Sequence, residues 1–93
     1  MKALFLDRDG VINVDRGYVI NQEDFEFIDD IFDICRHAQS LGYSIFVVTN
    51  QSGIGRGYYT EQEFLSLSEW MCGVFMNKGI TIEKVYFCPS RPE

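Results

Sequence analysis

The sequence predicts an α/β protein in which short buried strands alternate with helices to form a parallel sheet. Three continuous apolar runs, ALFL at 3–6, SIFVV at 44–48 and KVYFC at 84–88, have the composition of strands that are covered on both faces. A helical pattern occupies part of each interval between them, in the order expected for right-handed crossover connections. Three strands and two helices are therefore expected.

The first helix is predicted between the first two strands. The apolar residues that recur there at steps of three and four are Ile28, Ile31, Phe32, Cys35 and Ala38. Asp29 and Asp30 suit its first turn, because the positive end of the helix dipole favours acidic side chains. Gly42, directly after Leu41, is the expected stop signal.

The second helix has clearer boundaries. Thr60 and Glu63 have the spacing of a capping box, in which each side chain accepts from the other residue's backbone N–H. The apolar stripe that follows consists of Phe64, Leu67, Met71 and Val74. Lys78-Gly79 ends the pattern, and Ile80 is placed to make the hydrophobic contact that often follows such a glycine.

Composition limits the classes of function. A chain of 93 residues makes one small domain at most, and its net charge of −6 argues against a nucleic-acid partner. No apolar stretch approaches a membrane span, and the run after Lys2 ends at Asp7, which is too early for a signal peptide. The three widely spaced cysteines predict reduced thiols rather than disulfides. A cytoplasmic protein without membrane partners is expected.

Polar residues follow each predicted strand. Asp7 and Asp9 follow the first, TNQSG at 49–53 follows the second and CPSRP at 88–92 follows the third. Ligands of parallel sheets bind beyond the carboxyl ends of the strands. If the three strands are parallel and adjacent, these residues should converge on one site.

The two aspartates suggest phosphoryl chemistry. Asp7 at a strand end can attack phosphorus to form an aspartyl-phosphate, and Asp9 can protonate the leaving oxygen and later activate water. Two carboxylates tolerate a dianionic phosphate only with a cation such as Mg²⁺, and Thr49 offers a hydroxyl to the phosphate. The alternative interpretation is a pair of aspartates that cap a turn.

Two longer motifs carry a family resemblance. FLDRDGVI at 5–12, followed by VVTNQSGIGRG at 47–57, resembles the haloacid dehalogenase superfamily of phosphatases. More narrowly, the chain resembles the D-glycero-D-manno-heptose 1,7-bisphosphate phosphatases and the related histidinol-phosphatases. DRGYV at 15–19, YYTEQEF at 58–64 and VYFCP at 85–89 extend the resemblance over nearly the whole chain.

The resemblance implies roles for individual residues. Asp7 would be the nucleophile and Asp9 the general acid/base, with the Asp7 carboxylate and the Asp9 backbone carbonyl binding Mg²⁺. Thr49 would hold the transferring phosphoryl group. The remaining implied substrate-binding residues are Arg8, Asp15, Arg16, Gly17, Tyr18, Asn50, Gln51 and Ser52. For Arg8 the alternative is an exposed turn residue, and the role of Arg56 stays open.

The resemblance also implies an architecture. It is a Rossmann-like fold with a parallel sheet and helices on both faces, here reduced to about three strands and two helices. Residues 1–93 would form the N-terminal part of the phosphatase domain. In the family, a basic motif and an acidic motif complete the phosphate and Mg²⁺ sites. Both are expected at positions beyond Glu93.

One departure from the family concerns zinc. Many members have a zinc loop that begins Cys-Pro-His, whereas this chain reads Cys88-Pro89-Ser90 and has no later cysteines. One thiolate cannot build a tetrahedral zinc site, so no zinc is expected and Cys88 is interpreted as a strand-end thiol.

Three functions remain open from the sequence. The first is a phosphatase for a small phosphorylated sugar or amino alcohol, including a heptose bisphosphate or histidinol phosphate. The second is a non-catalytic chain that at most binds phosphorylated ligands, and the third is a phosphoacceptor domain with Asp7 as a signalling aspartate. We also expect self-association through the free edge of the first strand, because ALFL carries no charge or proline.

Overall fold

The computed structural model describes residues 2–90 and contains one three-stranded parallel sheet. Strand β1 is Lys2–Leu6, β2 is Tyr43–Asn50 and β3 is Ile82–Cys88, in the order β1-β2-β3. All three strands lie where the apolar runs predicted them, and each begins slightly earlier than its run. The predicted parallel α/β class is therefore confirmed. Of the residues predicted to follow the third strand, Arg91 and Pro92 lie outside the described residues.

Helices fill the two connections. Helix α1 spans Ile31–Ser40 between the first two strands. The second connection contains a short helix α2, Ser52–Gly55, that the sequence did not predict, and then the long helix α3, Glu61–Asn77. A single 3₁₀ turn at Gln22–Asp24 lies within the long loop between β1 and α1.

Both long helices cover the same face of the sheet. The rings of Phe32 on α1 and Phe75 on α3 lie 5.2 Å apart, and both helices pack over the buried Ile45 and Val47 of β2. The expectation of helices on both faces is therefore not met within residues 2–90. The reason is topological: both crossovers step in the same direction from β1 to β3, so the same handedness places both helices on one side.

The opposite face of the sheet is apolar and is left open by the described residues. Phe5 stacks on Phe46 with 5.1 Å between ring centroids, and Tyr86 lies 6.3 Å from Phe46. Phe5 is 59% exposed, so the strand composition that predicted burial on both faces is satisfied on one face only.

Helix α1 begins later than its apolar pattern suggests. The N–H of Ile28 donates to the carbonyl of Ile12 across the loop, at 2.9 Å, and this residue therefore lies before the helix. Asp30 occupies the N-cap position without a capping side-chain bond, and Asp33 is the acidic residue of the first turn. The predicted end is confirmed, since Leu41 closes the helix and Gly42 follows with a φ of +88°.

Helix α3 has the predicted ends. The capping box of Thr60 and Glu63 is formed, and at the other end the Ile80 N–H donates to the Phe75 carbonyl at 2.9 Å. The buried face consists of Phe64, Leu67, Ser68, Met71 and Phe75. Val74 is only half-buried, because a helix of 3.6 residues per turn brings Phe75 rather than Val74 onto the same face as Phe64 and Met71.

The long loop after β1 folds back over the helices. It buries Ile12, Val19 and Phe25, and the Phe25 ring meets Trp70 of α3 edge-on at 5.4 Å. This packing fixes the loop at the carboxyl end of β1, where the first polar motif begins.

The three cysteines agree with the predicted reduced thiols. All three cysteines are free, with Cys35 buried, Cys72 half-buried and Cys88 exposed. Burial raises the pKa of the Cys35 thiol to about 11, so this group stays neutral.

No helix within the described residues has both the length and the apolar character needed to cross a membrane.

The capping box gives a direct test of the fold. The Thr60 hydroxyl accepts from the Glu63 N–H at 3.1 Å, and Thr60→Ala should lower the free energy of unfolding by about 1 kcal/mol. Ser66→Ala, at an exposed position of the same helix, is the matched control and should change stability little. Urea unfolding of both variants measures the difference, and equal midpoints would contradict the cap assignment.

Candidate active site

A polar cavity lies at the carboxyl ends of β1 and β2. It has a volume of about 300 Å³. The residues that line it are Asp7, Arg8, Asp9, Asp15, Gly17, Tyr18, Thr49, Asn50, Gln51, Ser52 and Tyr59. The structure thus brings together every residue that the sequence proposed for the site except Arg16, and it adds Tyr59.

The end of β3 does not join this cavity. Cys88 lines a separate, mostly apolar depression together with Val48 and Tyr86 on the open face of the sheet. Its backbone carbonyl accepts from the Gln51 N–H at 2.8 Å, which is a structural contact. Among the described residues, the expected convergence therefore involves two strand ends rather than three.

The two residues directly after β1 differ in burial, since Asp7 is exposed and Arg8 is buried. Asp7 is exposed to the cavity, and no side-chain hydrogen bond to it is found within residues 2–90. Gly10 has a φ of +91° and its N–H donates to the Asn13 carbonyl at 2.8 Å, so the chain turns sharply just after Asp9. The turn keeps Asp7 and Asp9 at the same edge of the sheet.

Arg8 is one of the most deeply buried side chains of the protein. Its side chain is 2% exposed, and Nη2 donates at 2.9 Å both to Asp9 Oδ1 and to the Val19 carbonyl. The guanidinium lies over the rings of Phe25 and Phe64, at 5.7 and 6.0 Å from their centroids. The alternative interpretation of Arg8 as an exposed turn residue is therefore wrong.

Asp9 is held in one orientation by side-chain donors. Besides Arg8, Asn13 Nδ2 donates to Oδ1 at 3.1 Å and Gln51 Nε2 donates to Oδ2 at 3.3 Å. No backbone N–H within residues 2–90 donates to the carboxylate of either Asp7 or Asp9. The turn-capping interpretation of this pair therefore finds no support in the described residues.

Tyr59 is the lining residue that sequence reasoning missed. It is 7% exposed, and its hydroxyl donates to Gln51 Oε1. Burial raises the pKa of Tyr59, Arg8 acts in the opposite direction, and Asp9 and Tyr18 raise it further. Its only sequence signal was its place in the YYTEQEF stretch, which does not distinguish it from the exposed Tyr58.

The rim of the cavity is formed by the loop after β1. The Asp15 carboxylate accepts from the Gly17 N–H at 3.0 Å, and Gly17 has a φ of +84°. The turn leaves Tyr18 51% exposed beside the cavity. Arg16 instead pairs with Glu26 on the surface and does not line the cavity, and Arg56 is an exposed residue at the end of α2.

The residues present fit part of a magnesium site. Mg²⁺ usually takes one or two carboxylates and completes its shell with water and substrate phosphate. The uncommitted Asp7 carboxylate and the adjacent Asp9 are oxygen donors of this kind at one edge of the cavity. Within residues 2–90 no group of three or more His, Cys, Asp or Glu side chains is arranged to bind a metal.

Solved structures identify the class of fold. No protein-family model matches the chain. A structure from Mesorhizobium loti, described as a HAD-like phosphatase, aligns with a TM-score of 0.86 and 34% identity over 95% of this chain and 42% of that chain. The fold is thus the Rossmann-like fold of haloacid dehalogenase-type phosphatases.

More specific relatives carry one activity in their names. The D,D-heptose 1,7-bisphosphate phosphatase from B. bronchiseptica, solved with magnesium and phosphate, aligns with a TM-score of 0.90 at 23% identity, over 100% of this chain and 52% of that one. The D-glycero-alpha-D-manno-heptose-1,7-bisphosphate 7-phosphatase of Burkholderia mallei is 60% identical over 99% of this chain and 49% of that protein. The resemblance to the heptose bisphosphate phosphatases is therefore confirmed, and the chain spans about half the length of the relatives it matches.

The burial of Arg8 predicts a large difference between two arginines. Arg8→Met leaves the partly buried Asp9 without its charged partner and should lower the free energy of unfolding by about 3 kcal/mol. Arg16→Met breaks an exposed pair with Glu26, which should cost about 0–1 kcal/mol. Urea unfolding of the two variants provides the comparison. Equal losses would show that Arg8 does not stabilise the loop.

Proposed function

We propose that this chain supplies the nucleophile and the general acid/base of a Mg²⁺-dependent phosphatase that acts through an aspartyl-phosphate. The proposed substrate is a small sugar bisphosphate such as D-glycero-D-manno-heptose 1,7-bisphosphate. The observation that carries the proposal is the pairing of an exposed Asp7 with a tightly held Asp9 in one polar cavity. The names of the relatives support the substrate.

The two carboxylates are suited to different steps. An Asp7 oxygen, which has no competing hydrogen bond within residues 2–90, would attack phosphorus while the bond from phosphorus to the sugar oxygen breaks. Asp9 would donate a proton to that leaving oxygen, and would then remove a proton from the water that attacks the aspartyl-phosphate. Inorganic phosphate leaves, and the Asp7 carboxylate is restored.

The charge of the cavity favours a cation. Asp7, Asp9 and Asp15 line it, and within residues 2–90 Arg8 is the only Lys or Arg that does so. A phosphate dianion would be repelled by such a site unless positive charge is added. The Asp7 carboxylate and the Asp9 carbonyl would hold Mg²⁺, which would offset the phosphate charge when bound.

The remaining lining residues would recognise the substrate. The Thr49 hydroxyl and the polar side chains of Asn50 and Ser52 lie on the β2 side of the cavity, where they would bind the phosphoryl group. Asp15, Gly17 and Tyr18, on the loop after β1, would contact the sugar. Arg16 points away from the cavity, so we give it no direct contact with substrate.

The three free cysteines support a reducing location, and we place the activity in the cytoplasm as part of the same proposal.

Since the relatives extend to about twice the matched length, the whole protein's reaction is tested best in a chimera. In this chimera the present chain replaces the matched residues of the Burkholderia mallei enzyme.

Asp7→Asn in the chimera should lower the turnover of heptose 1,7-bisphosphate by about a thousandfold or more, because the amide cannot form the aspartyl-phosphate. Asp33→Asn, on the exposed surface of α1, is the matched control and should keep full turnover. Phosphate release is measured with Mg²⁺ and after its removal by chelation. Near-normal turnover by the Asp7 variant would refute the nucleophile assignment.

The same assay separates the other functions. Faster turnover of histidinol phosphate than of heptose 1,7-bisphosphate would identify an amino-alcohol phosphatase. A folded chimera without turnover would favour a non-catalytic binding chain. A long-lived phosphorylated Asp7 would favour a phosphoacceptor.

We also propose that the 93-residue chain self-associates through β1. This strand is one of the two outer strands of the described sheet, and Phe5 on its open face is 59% exposed. Edge strands and uncovered apolar faces pair readily with a second copy. Sedimentation velocity should show a sedimentation coefficient that rises with concentration, and Phe5→Glu should shift the chain toward the monomer.

Ile34→Glu is the control for this experiment, because Ile34 is 52% exposed on α1, away from the open face. It should leave the association unchanged. A compact wild-type monomer at high micromolar concentration would end the proposal.

A further inference from the structure

A buried chain of hydrogen bonds connects Tyr59 to two proposed catalytic groups. The Tyr59 hydroxyl donates to Gln51 Oε1, and Gln51 Nε2 donates to Thr49 Oγ1 at 2.9 Å and to Asp9 Oδ2 at 3.3 Å. Tyr59, Gln51 and Thr49 are 7%, 3% and 3% exposed. Little water therefore competes for these bonds, and the direction of each one matters.

The chemistry of the groups fixes the direction of the chain. A carboxylate only accepts hydrogen bonds, so Gln51 must turn its NH₂ group toward Asp9. Its carbonyl oxygen then faces Tyr59, which must donate. Burial raises the pKa of Tyr59, which keeps this proton on the phenol. Thr49 accepts from the same NH₂ group, so the proton of its own hydroxyl stays available to the cavity.

We propose that Tyr59 is a positioning residue that holds the Gln51 amide in the orientation required by Asp9 and Thr49. The importance of this orientation for turnover rests on the proposed phosphatase function. If the Gln51 amide were flipped, its carbonyl oxygen would face the Asp9 carboxylate and repel it. The Thr49 hydroxyl would then donate to Gln51 instead of to a phosphoryl oxygen.

Gly53 gives independent evidence that the fold holds the Tyr59 ring in this position. A Cβ atom at Gly53 would lie 2.3 Å from Cε1 of Tyr59 and 2.8 Å from Cδ1 of Tyr18. Both distances are shorter than any normal carbon contact, so only glycine lets the Tyr59 ring pack at this point. Gly53 therefore leaves the space that the Tyr59 ring occupies.

The orientation can be tested without any activity. In the ¹⁵N-labelled 93-residue chain, the side-chain NH₂ protons of Gln51 should exchange with water at least about tenfold more slowly than those of the exposed Gln62. Tyr59→Phe keeps the ring but removes the donor, and it should abolish this protection. Tyr58→Phe is the matched control, since Tyr58 is 62% exposed, and it should leave the Gln51 signals unchanged.

Gly53→Ala is a second route to the same result, because it displaces the Tyr59 ring while keeping the hydroxyl. It should also reduce the protection of the Gln51 NH₂ group. Unchanged Gln51 exchange in Tyr59→Phe would overturn the proposal, whatever the activity of the protein.

Turnover in the chimera tests whether the orientation serves the reaction. Tyr59→Phe should lower kcat about tenfold and change KM less than twofold, because Tyr59 acts through Gln51 and not by binding substrate. Tyr58→Phe should leave both constants unchanged. An unchanged kcat in Tyr59→Phe would overturn the catalytic part of the proposal.

The two proposals fail separately. If Asp7→Asn were fully active, the proposed phosphatase mechanism would fall, while a loss of Gln51 protection in Tyr59→Phe would still support the positioning role of Tyr59.

Discussion

The buried guanidinium of Arg8 is the interaction on which the rest of the site depends. It joins the end of β1 to the loop through the Val19 carbonyl, to the core through the rings of Phe25 and Phe64, and to the acidic cavity through Asp9. A buried charge is costly to desolvate unless it is paired, so the Arg8 side chain constrains both the loop and Asp9. The position of Arg8 explains why the Asp9 carboxylate has one orientation.

The hydrogen-bond partners then separate two chemically identical groups. Asp7 is exposed to the cavity without a partner among the described residues, whereas Asp9 receives donors from Arg8, Asn13 and Gln51. A nucleophile must be able to move onto phosphorus, and an acid/base group must be held near the leaving oxygen. The different surroundings of the two carboxylates therefore suit the two roles in the proposed mechanism.

The sheet shows how one topological choice shapes a surface. Because α1 and α3 share a face, the apolar side chains of Phe5, Phe46 and Tyr86 form a stacked row on the other face. The active-site cavity lies at the end of the sheet rather than on this face. The proposed catalytic and association surfaces are thus separate within the described residues.

The sequence by itself determined the features that depend on neighbours along the chain. The three strands, the capping box of Thr60 and Glu63, the stop at Gly79 and the polar residues after β1 and β2 all follow from local composition or from hydrogen bonds within a few residues. The resemblance to known phosphatases added their expected roles. Only the tertiary structure decided the burial of Arg8, the outward direction of Arg16, the late start of α1 and the link from Tyr59 through Gln51 to Asp9. These features depend on contacts between segments that the chain brings together only when it folds, such as Asp9 and Gln51, which are 42 positions apart in the sequence.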